Sequence, residues 1–440
     1  MPRAPALHIS RRLTIALWVL LAVQAIGIPL ALRAAFRTAR DETIVGQFER
    51  FARRTQTDDS WRPMEAARSY ARTHPGGDIY EEIFFRRKVK FQYPPSSLLF
   101  VAGLSRQALN LVSWCCVWLT TVFTVLLFRK SMQAGDGAAD RPPSADRLVG
   151  SLAVAGLCLA FYPLIKGYTL GQIQVWVDAL FAASLWAWYS GRQAAAGVCL
   201  GLACLIKPPL VLLALWALVR RQGRMLAGML AIGVLGVALS IAIYGLSSHL
   251  SYLRVLSFIS QRGEAYYPNQ SFNGLLNRWL ANGDNLEFQD FEFSPPHAVV
   301  AGATMAAAGT LLLLALIVPP WRRPDDSRFD LPLMAATATI VSPIAWEHHY
   351  GVFPPIMAVL APALLDQAHA PRRVGLLLAL SFILIGQYFA PAQRLANTAL
   401  NPLQSYVFFG ALLLLATGYT VILRSAQRRP WQVAGTAQAR

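Results

Sequence analysis

The sequence carries too little charge to clothe a soluble surface. Only 14% of its 440 residues are charged, where an ordinary soluble domain has roughly 25%. Hydrophobic residues make up 55% and the mean hydropathy is +0.41. Soluble multidomain architectures and low-complexity disorder are both excluded. Acidic residues are scarcer still, with 23 Asp and Glu against 40 Lys and Arg, a formal charge of +17. Gathered in one patch, that excess would point to nucleic acid. Here it falls in small clusters between apolar runs, which suits loops facing an acidic inner leaflet and sets nucleic-acid binding aside. Cysteine is sparse as well. Cys115, Cys116, Cys158, Cys199 and Cys204 all lie inside apolar stretches without zinc-ligand spacing to histidine. They read as small hydrophobes, so no disulfide, metal site or catalytic thiol is expected.

What is present is a series of apolar runs. A spanning helix needs about 20 apolar residues, and the runs at 13–32, 109–128, 148–165, 173–189, 226–246, 299–318, 352–365, 374–389 and 406–423 approach that length. The first follows Arg11 and Arg12 and is longer than a signal peptide requires, so it reads as a retained anchor. The runs at 194–206 and 210–219 meet at Lys207-Pro208-Pro209, and 331–340 is short too. Such short arms with a proline break predict a hairpin whose turn lies at membrane depth. The expectation is an all-α polytopic membrane protein of about twelve segments, short broken hairpins included, forming a single domain over the whole chain. Its polar insertions are a first outer segment at 34–95 with an amphipathic helix at 61–71, a flexible inner loop at 131–147, and a second outer segment at 247–297. Counting from a cytoplasmic N-terminus, every short inner connection carries Arg or Lys, and the C-terminus also falls inside.

The same parity puts the dense polar clusters on one side. They are Asp58-Asp59-Ser60-Trp61, Phe91-Gln92-Tyr93-Pro94-Pro95, Gly171-Gln172-Ile173-Gln174, Lys207, Pro268-Asn269-Gln270-Ser271 and Trp346-Glu347-His348-His349-Tyr350. Connections so far apart in sequence share this character only if they build one polar cavity at the outer surface.

The run Gly191-Arg192, Ala196-Gly197 and Gly201-Leu202-Ala203-Cys204-Leu205-Ile206-Lys207-Pro208-Pro209 resembles the hallmark of glycosyltransferase family 87. Tyr93-Pro94-Pro95, Gly171-Gln172, Asn269-Gln270-Ser271 with Arg278, and Ser342-Pro343 with Trp346 to Tyr350 follow in the family's order. The resemblance covers nearly the whole chain. It implies the GT-C membrane fold in a bacterial inner membrane, and transfer of a hexose, mannose in this family, from a polyprenyl-phosphate donor. The acceptor would be a glycan or glycolipid hydroxyl on the periplasmic face, and the displacement single and inverting. The resemblance further implies a base in the first outer segment, at Asp59 with Asp58 as rival. The chain departs from the family in placing Ser60 between the acid and Trp61, and Glu347 where an Asp is usual.

This chemistry asks for little. A lipid phosphate leaves readily, the acceptor hydroxyl benefits from a carboxylate, and developing phosphate charge calls for fixed cations or donors. His348 and His349 can move a proton or hold phosphate, unless they belong to an interfacial belt with Trp346 and Tyr350. Lys207, an ionisable group at membrane depth, suits the phosphate, or else snorkels or pairs with Asp178. Gln172 and Gln174 can donate to sugar hydroxyls, Asn269, Gln270, Ser271 and Arg278 can close over the donor, and Tyr93 is a contact or a rigid turn. Asp178, one turn after Gln174, is expected to pair with Lys207 or Lys166. No cofactor is called for, and an acidic metal pair at Asp58 and Asp59 has no neighbouring ligand cluster. The rival reading is a transporter or lipid-carrier flippase, which would show internal repeats and polar groups reaching mid-membrane from both sides.

Overall fold

The computed structural model describes residues 11–133, 145–290, 292–318, 327–367 and 371–427. Within them the regular structure is helical, and strand-like pairing is confined to an isolated antiparallel bridge between Asn269 and Trp346. The centre of the expected inner loop, residues 134–144, lies outside the described residues. So do residues 1–10, 291, 319–326 and 368–370 and the tail from 428.

Among the described residues, five helices are long and apolar enough to cross a bilayer: Leu13–Phe36, Arg106–Met132, Gly223–Arg262, Ala298–Ile317 and Asn401–Arg424. A sixth crossing is possible if the pair Arg147–Leu159 and Tyr162–Thr169, bent by 50°, acts as one span. Leu235, Leu239, Ile243, Val299, Leu313, Ile15 and Leu30 stand exposed along three of these helices. A soluble monomer does not present such continuous apolar faces to water. This is a membrane protein.

The remaining apolar runs form shorter helices. Gln174–Tyr189 has 16 residues, which at 1.5 Å per residue is about 24 Å, less than the roughly 30 Å of a hydrocarbon core. Gln193–Ile206, Pro208–Val219 and Phe329–Ile340 are shorter still. Length therefore separates crossing helices from packed internal ones, and about twelve runs do not translate into as many full crossings. The proline break does fall where hydropathy and proline chemistry put it: the helix Gln193–Ile206 stops, Lys207 is extended, and Pro208 opens a 3-10 turn.

Two details differ from expectation. The helix expected to end at 246 runs on to Arg262, changing direction at Gly245, whose φ of +78° only glycine adopts easily. The first sixteen residues of the supposed second outer segment are thus helix. The run expected at 148–165 breaks at Phe161, which is extended before Pro163. Polar groups freed at that break need partners inside the protein. Gln24, held in a π-helical turn Val23–Gly27, provides one: its amide donates to the carbonyls of Ala160 (3.3 Å) and Gly386 (2.7 Å).

The first outer segment is structured rather than loose. Helices Ile44–Ala52 and Trp61–Thr73 bury one face each, the second through Trp61, Pro63, Met64 and Ala67. The ion pair of Lys90 with Glu264 (2.9 Å), enclosed from solvent, ties this segment to the one after Arg262.

Candidate active site

The site begins where two distant connections lie side by side. Backbone amides of Thr57, Asp59 and Ser60 donate to the carbonyls of Thr169, Leu170 and Gly171 at 2.9, 3.0 and 3.2 Å. Gly171 makes this approach possible. Its φ is +68°, and a Cβ there would stand 2.1 Å from the Thr57 carbonyl oxygen. The turn then sends Gln172 toward Asp59, to which its amide nitrogen donates. The other end of that amide accepts from Ser60 Oγ (2.8 Å) and Tyr93 Oη (3.1 Å). Ser60 is fully buried, lies 2.6 Å from the Tyr93 hydroxyl and accepts from the Ile173 amide (3.0 Å). Every bond at Gln172 therefore aims its donor at one carboxylate.

Asp58 and Asp59 face different surroundings. Asp58 is exposed and lies 3.5 Å from Arg106, which also holds Glu65 at 2.8 Å. Asp59 opens to solvent as well, yet protein surrounds it closely enough for burial to push its pKa above the usual carboxylate range. Gln172, Lys207 and Arg62 oppose that rise, while Asp290 adds to it. Solvent access and a raised pKa are compatible at the wall of a cleft, where one side is wet and the rest is protein.

Lys207 connects this half of the site to the other. Its Nζ lies 2.9 Å from His349 Nε2 and 5.5 Å from the Tyr93 ring centre. Contacts thus run unbroken from Asp59 through Gln172, Tyr93 and Lys207 to His349. A small open hollow adjoins the pair, lined by Gln174, Lys207, Thr339, Ser342 and His349 among apolar neighbours such as Val352. His348 packs edge-to-face on His349 with ring centres 4.9 Å apart, and its Nε2 is buried without a hydrogen-bond partner.

The histidines sit on a short 3-10 turn, Glu347–Val352, that is pinned by its neighbours. Gln270 donates from its backbone to Ala345 (2.8 Å), Glu347 to Pro268 (2.9 Å), and the Tyr350 hydroxyl to the Gln270 carbonyl. The motif residues after Pro268 make that frame. Asn269 bonds Glu264, Pro343 and Ala345. Gln270 bonds Tyr267, Gln404 and Val407. Ser271 caps the helix Phe272–Trp279 and donates to Pro343. Arg278 reaches the carbonyls of Ala265, Tyr266 and Asn269 and the Ser405 hydroxyl. All four are buried, with these atoms engaged inside the protein rather than directed into the cavity.

Gln174 lines the cavity but donates to Asp178 at 2.9 Å. Asp178 was expected to pair with Lys207 or Lys166. Among the described residues no ion pair within 4 Å joins them, although the Asp178 and Asp59 charges both act on Lys207. Its second oxygen has no partner and lies against Gly351, where a Cβ would come within 2.1 Å of it. Lys207 is drawn instead to His349. Sequence reasoning took Ser60 for an interruption between acid and aromatic, whereas it is the hub that orients Gln172. Nothing in its spacing signals that role, because all its partners come from other connections.

Comparison with known proteins gives a consistent result. A polyprenol-phosphate-mannose-dependent alpha-(1-2)-phosphatidylinositol pentamannoside mannosyltransferase of Mycobacterium tuberculosis (strain CDC 1551 / Oshkosh) is 25% identical over 292 residues. That stretch is 64% of this chain and 62% of the relative, so the chain spans less than two thirds of the relative's length. Residues 91–343 match the profile of glycosyltransferase family 87. Tyr93, Gln172, Gln174, Lys207 and the Asn269 to Arg278 frame fall inside the match, while Asp59 and the two histidines fall outside and are joined to it by geometry. With more than half of its length matched, the chain belongs to glycosyltransferase family 87.

Proposed function

We propose that this protein is a GT-C membrane glycosyltransferase that moves a hexose, mannose, from a polyprenyl-phosphate donor to a hydroxyl of a glycan or glycolipid. In this reading Asp59 accepts the proton of the acceptor hydroxyl, and that oxygen attacks the anomeric carbon. The bond from that carbon to the phosphate oxygen breaks, and polyprenyl phosphate leaves with the electron pair. Lys207 and His349 line the place where the phosphate charge grows, and Gln172 keeps Asp59 aimed. One displacement with one carboxylate base inverts the anomeric centre. The site faces the periplasm of a bacterial inner membrane, with both termini cytoplasmic and about twelve membrane-embedded segments, several too short to cross alone.

The observation that carries this reading is the contact path from Asp59 through Gln172 and Tyr93 to the Lys207–His349 pair (2.9 Å), whose far end borders an open hollow. A carboxylate opposite a cation and an imidazole is the inventory the reaction needs. The relative's donor and sugar support the polyprenyl-phosphate and mannose parts.

The test uses the full chain in lipid nanodiscs with polyprenyl-phosphate-mannose labelled in the sugar. Label should pass to an acceptor lipid or glycan extract, and Asp59→Asn should cut transfer about 10²–10⁴-fold while still binding donor. Full transfer by Asp59→Asn, Asp58→Asn and the double variant would remove the base assignment.

A further inference from the structure

Three aromatic rings from separate parts of the chain meet beside the site and have no role in the path above. Tyr266 and Phe288 have ring centres 5.7 Å apart, Phe288 and Trp346 5.9 Å, and Tyr266 and Trp346 6.3 Å. Rings that cluster this closely are normally core. Here Phe288 is 39% exposed, and Tyr266 and Trp346 are only half-buried. An interfacial belt would account for scattered aromatics at a membrane surface. It does not account for rings anchored in the frame of the site. Trp346 forms the bridge with Asn269 and immediately precedes the turn that carries His349. Two residues beyond Phe288, Asp290 lies 3.7 Å from Arg62, which is three residues from Asp59.

The rings are also surrounded by charge. Burial raises the Tyr266 hydroxyl pKa, and the charges of Glu347 and Asp59 add to the rise. Behind Phe288 stands Lys90, 4.3 Å from its ring centre and held by the buried bond to Glu264. Tyr267, whose ring lies 5.0 Å from that of Tyr266, is fixed by its hydroxyl 2.6 Å from that of Tyr388. The three rings stand tilted at 49°, 72° and 63° to one another and are held by these partners, with part of each ring left accessible, which lowers the ordering cost of binding.

A pyranose ring has an apolar C–H face and a rim of hydroxyls, and needs a partner for each. We propose that Tyr266, Phe288 and Trp346 form a stacking platform for a pyranose ring of the acceptor, with its hydroxyl rim toward Asp59 and Arg62. The assignment rests on the transferase reading for the name acceptor, but the binding of a sugar does not. Stacking on such rings would order the acceptor before its hydroxyl meets the base, leaving the donor phosphate to Lys207 and His349.

The experiment is saturation-transfer NMR on the full chain in nanodiscs, with mannotriose and maltotriose as probes. Saturation should reach the C–H protons of one ring face for at least one probe and persist in Asp59→Asn. Phe288→Ala, in an exposed position, should weaken that binding about tenfold, and Phe288→Tyr should restore it. Trp346→Phe should weaken it less, while affinity for polyprenyl-phosphate-mannose stays within a factor of about two in each case. Absence of saturation with both probes, or equal binding by Phe288→Ala, overturns the platform even if mannose transfer is observed. Ring-dependent saccharide binding in a protein that turns over no polyprenyl-phosphate sugar would instead sink the transferase reading and leave the platform standing.

Discussion

Two polar regions of the molecule are built from similar residues and behave differently. Around Asp59, the connection 57–60 lies against the turn 169–172, and its carboxylate meets solvent with a raised pKa. Around Asn269, the connection 264–278 lies against 343–350, and Asn269, Gln270, Ser271 and Arg278 are buried with most of their polar atoms bonded within the protein, the Arg278 Nε excepted. Both carry family motifs or adjoin them. The difference teaches that reactivity at this site follows from what hydrogen bonding leaves over. A carboxylate held by one amide and open to solvent can take a proton, whereas a guanidinium bonded to several carbonyls holds a turn in place.

The largest effect should come from exchanging these roles. Asp59→Asn should abolish nearly all transfer and leave thermal unfolding in detergent unchanged. Arg278→Ala should do the reverse first, costing about 3 kcal/mol or more of stability by stranding buried carbonyls, with less folded protein recovered. If Arg278→Ala folded normally and lost only donor affinity, the region around Asn269 would be a binding surface and the contrast would fail. Next in size, Lys207→Met should lower transfer about 10²-fold through the departing phosphate, and Lys207→Arg should recover part of it. Equal donor affinity and turnover in Lys207→Met would detach the cation from the chemistry.

Smaller again is Gly171→Ala. The positive φ and the approach to Thr57 should cost about 1–3 kcal/mol and pull Gln172 off Asp59, seen as a drop in turnover larger than any drop in donor affinity. The smallest effect is on pH. A raised Asp59 pKa means the base is protonated at a higher pH than an ordinary carboxylate, so transfer should decline on acidification earlier than for a solvated acid. The same shift stabilises the fold below the unfolded pKa and is lost as pH rises through the folded one. Removing the charge in Asp59→Asn should therefore not destabilise the protein at neutral pH. Transfer whose acid limb is unchanged in Gln172→Ala, where a bond that lowers this pKa is gone, would place the titrating group elsewhere.

Much of the fold is readable from local chemistry. Hydropathy finds the helices, and Pro208-Pro209 finds the hairpin break because a second proline cannot supply the amide a continuing helix needs. The helical continuation from Gly245 to Arg262 is invisible to hydropathy, since its side chains are polar enough to read as a loop. Lys207 and His349 line one hollow and Gln172 reaches Lys207 only through Tyr93, while the Lys207 partner is His349, not Asp178. The hub role of Ser60, and Tyr266 and Phe288 as neighbours of Trp346, could not be singled out at all.

By itself the sequence determined that this chain lives in a membrane, where most of its apolar helices lie and where the double proline breaks one, and which family its motifs resemble. Those properties depend on the transfer free energy and backbone chemistry of neighbouring residues, which any window of the chain contains. Tertiary structure alone decided which of two adjacent aspartates meets the glutamine, which polar motif residues stay available, and which aromatics gather at the entrance. Burial and hydrogen-bond engagement are set by partners a hundred or more residues away, as between Asp59 and Gln172.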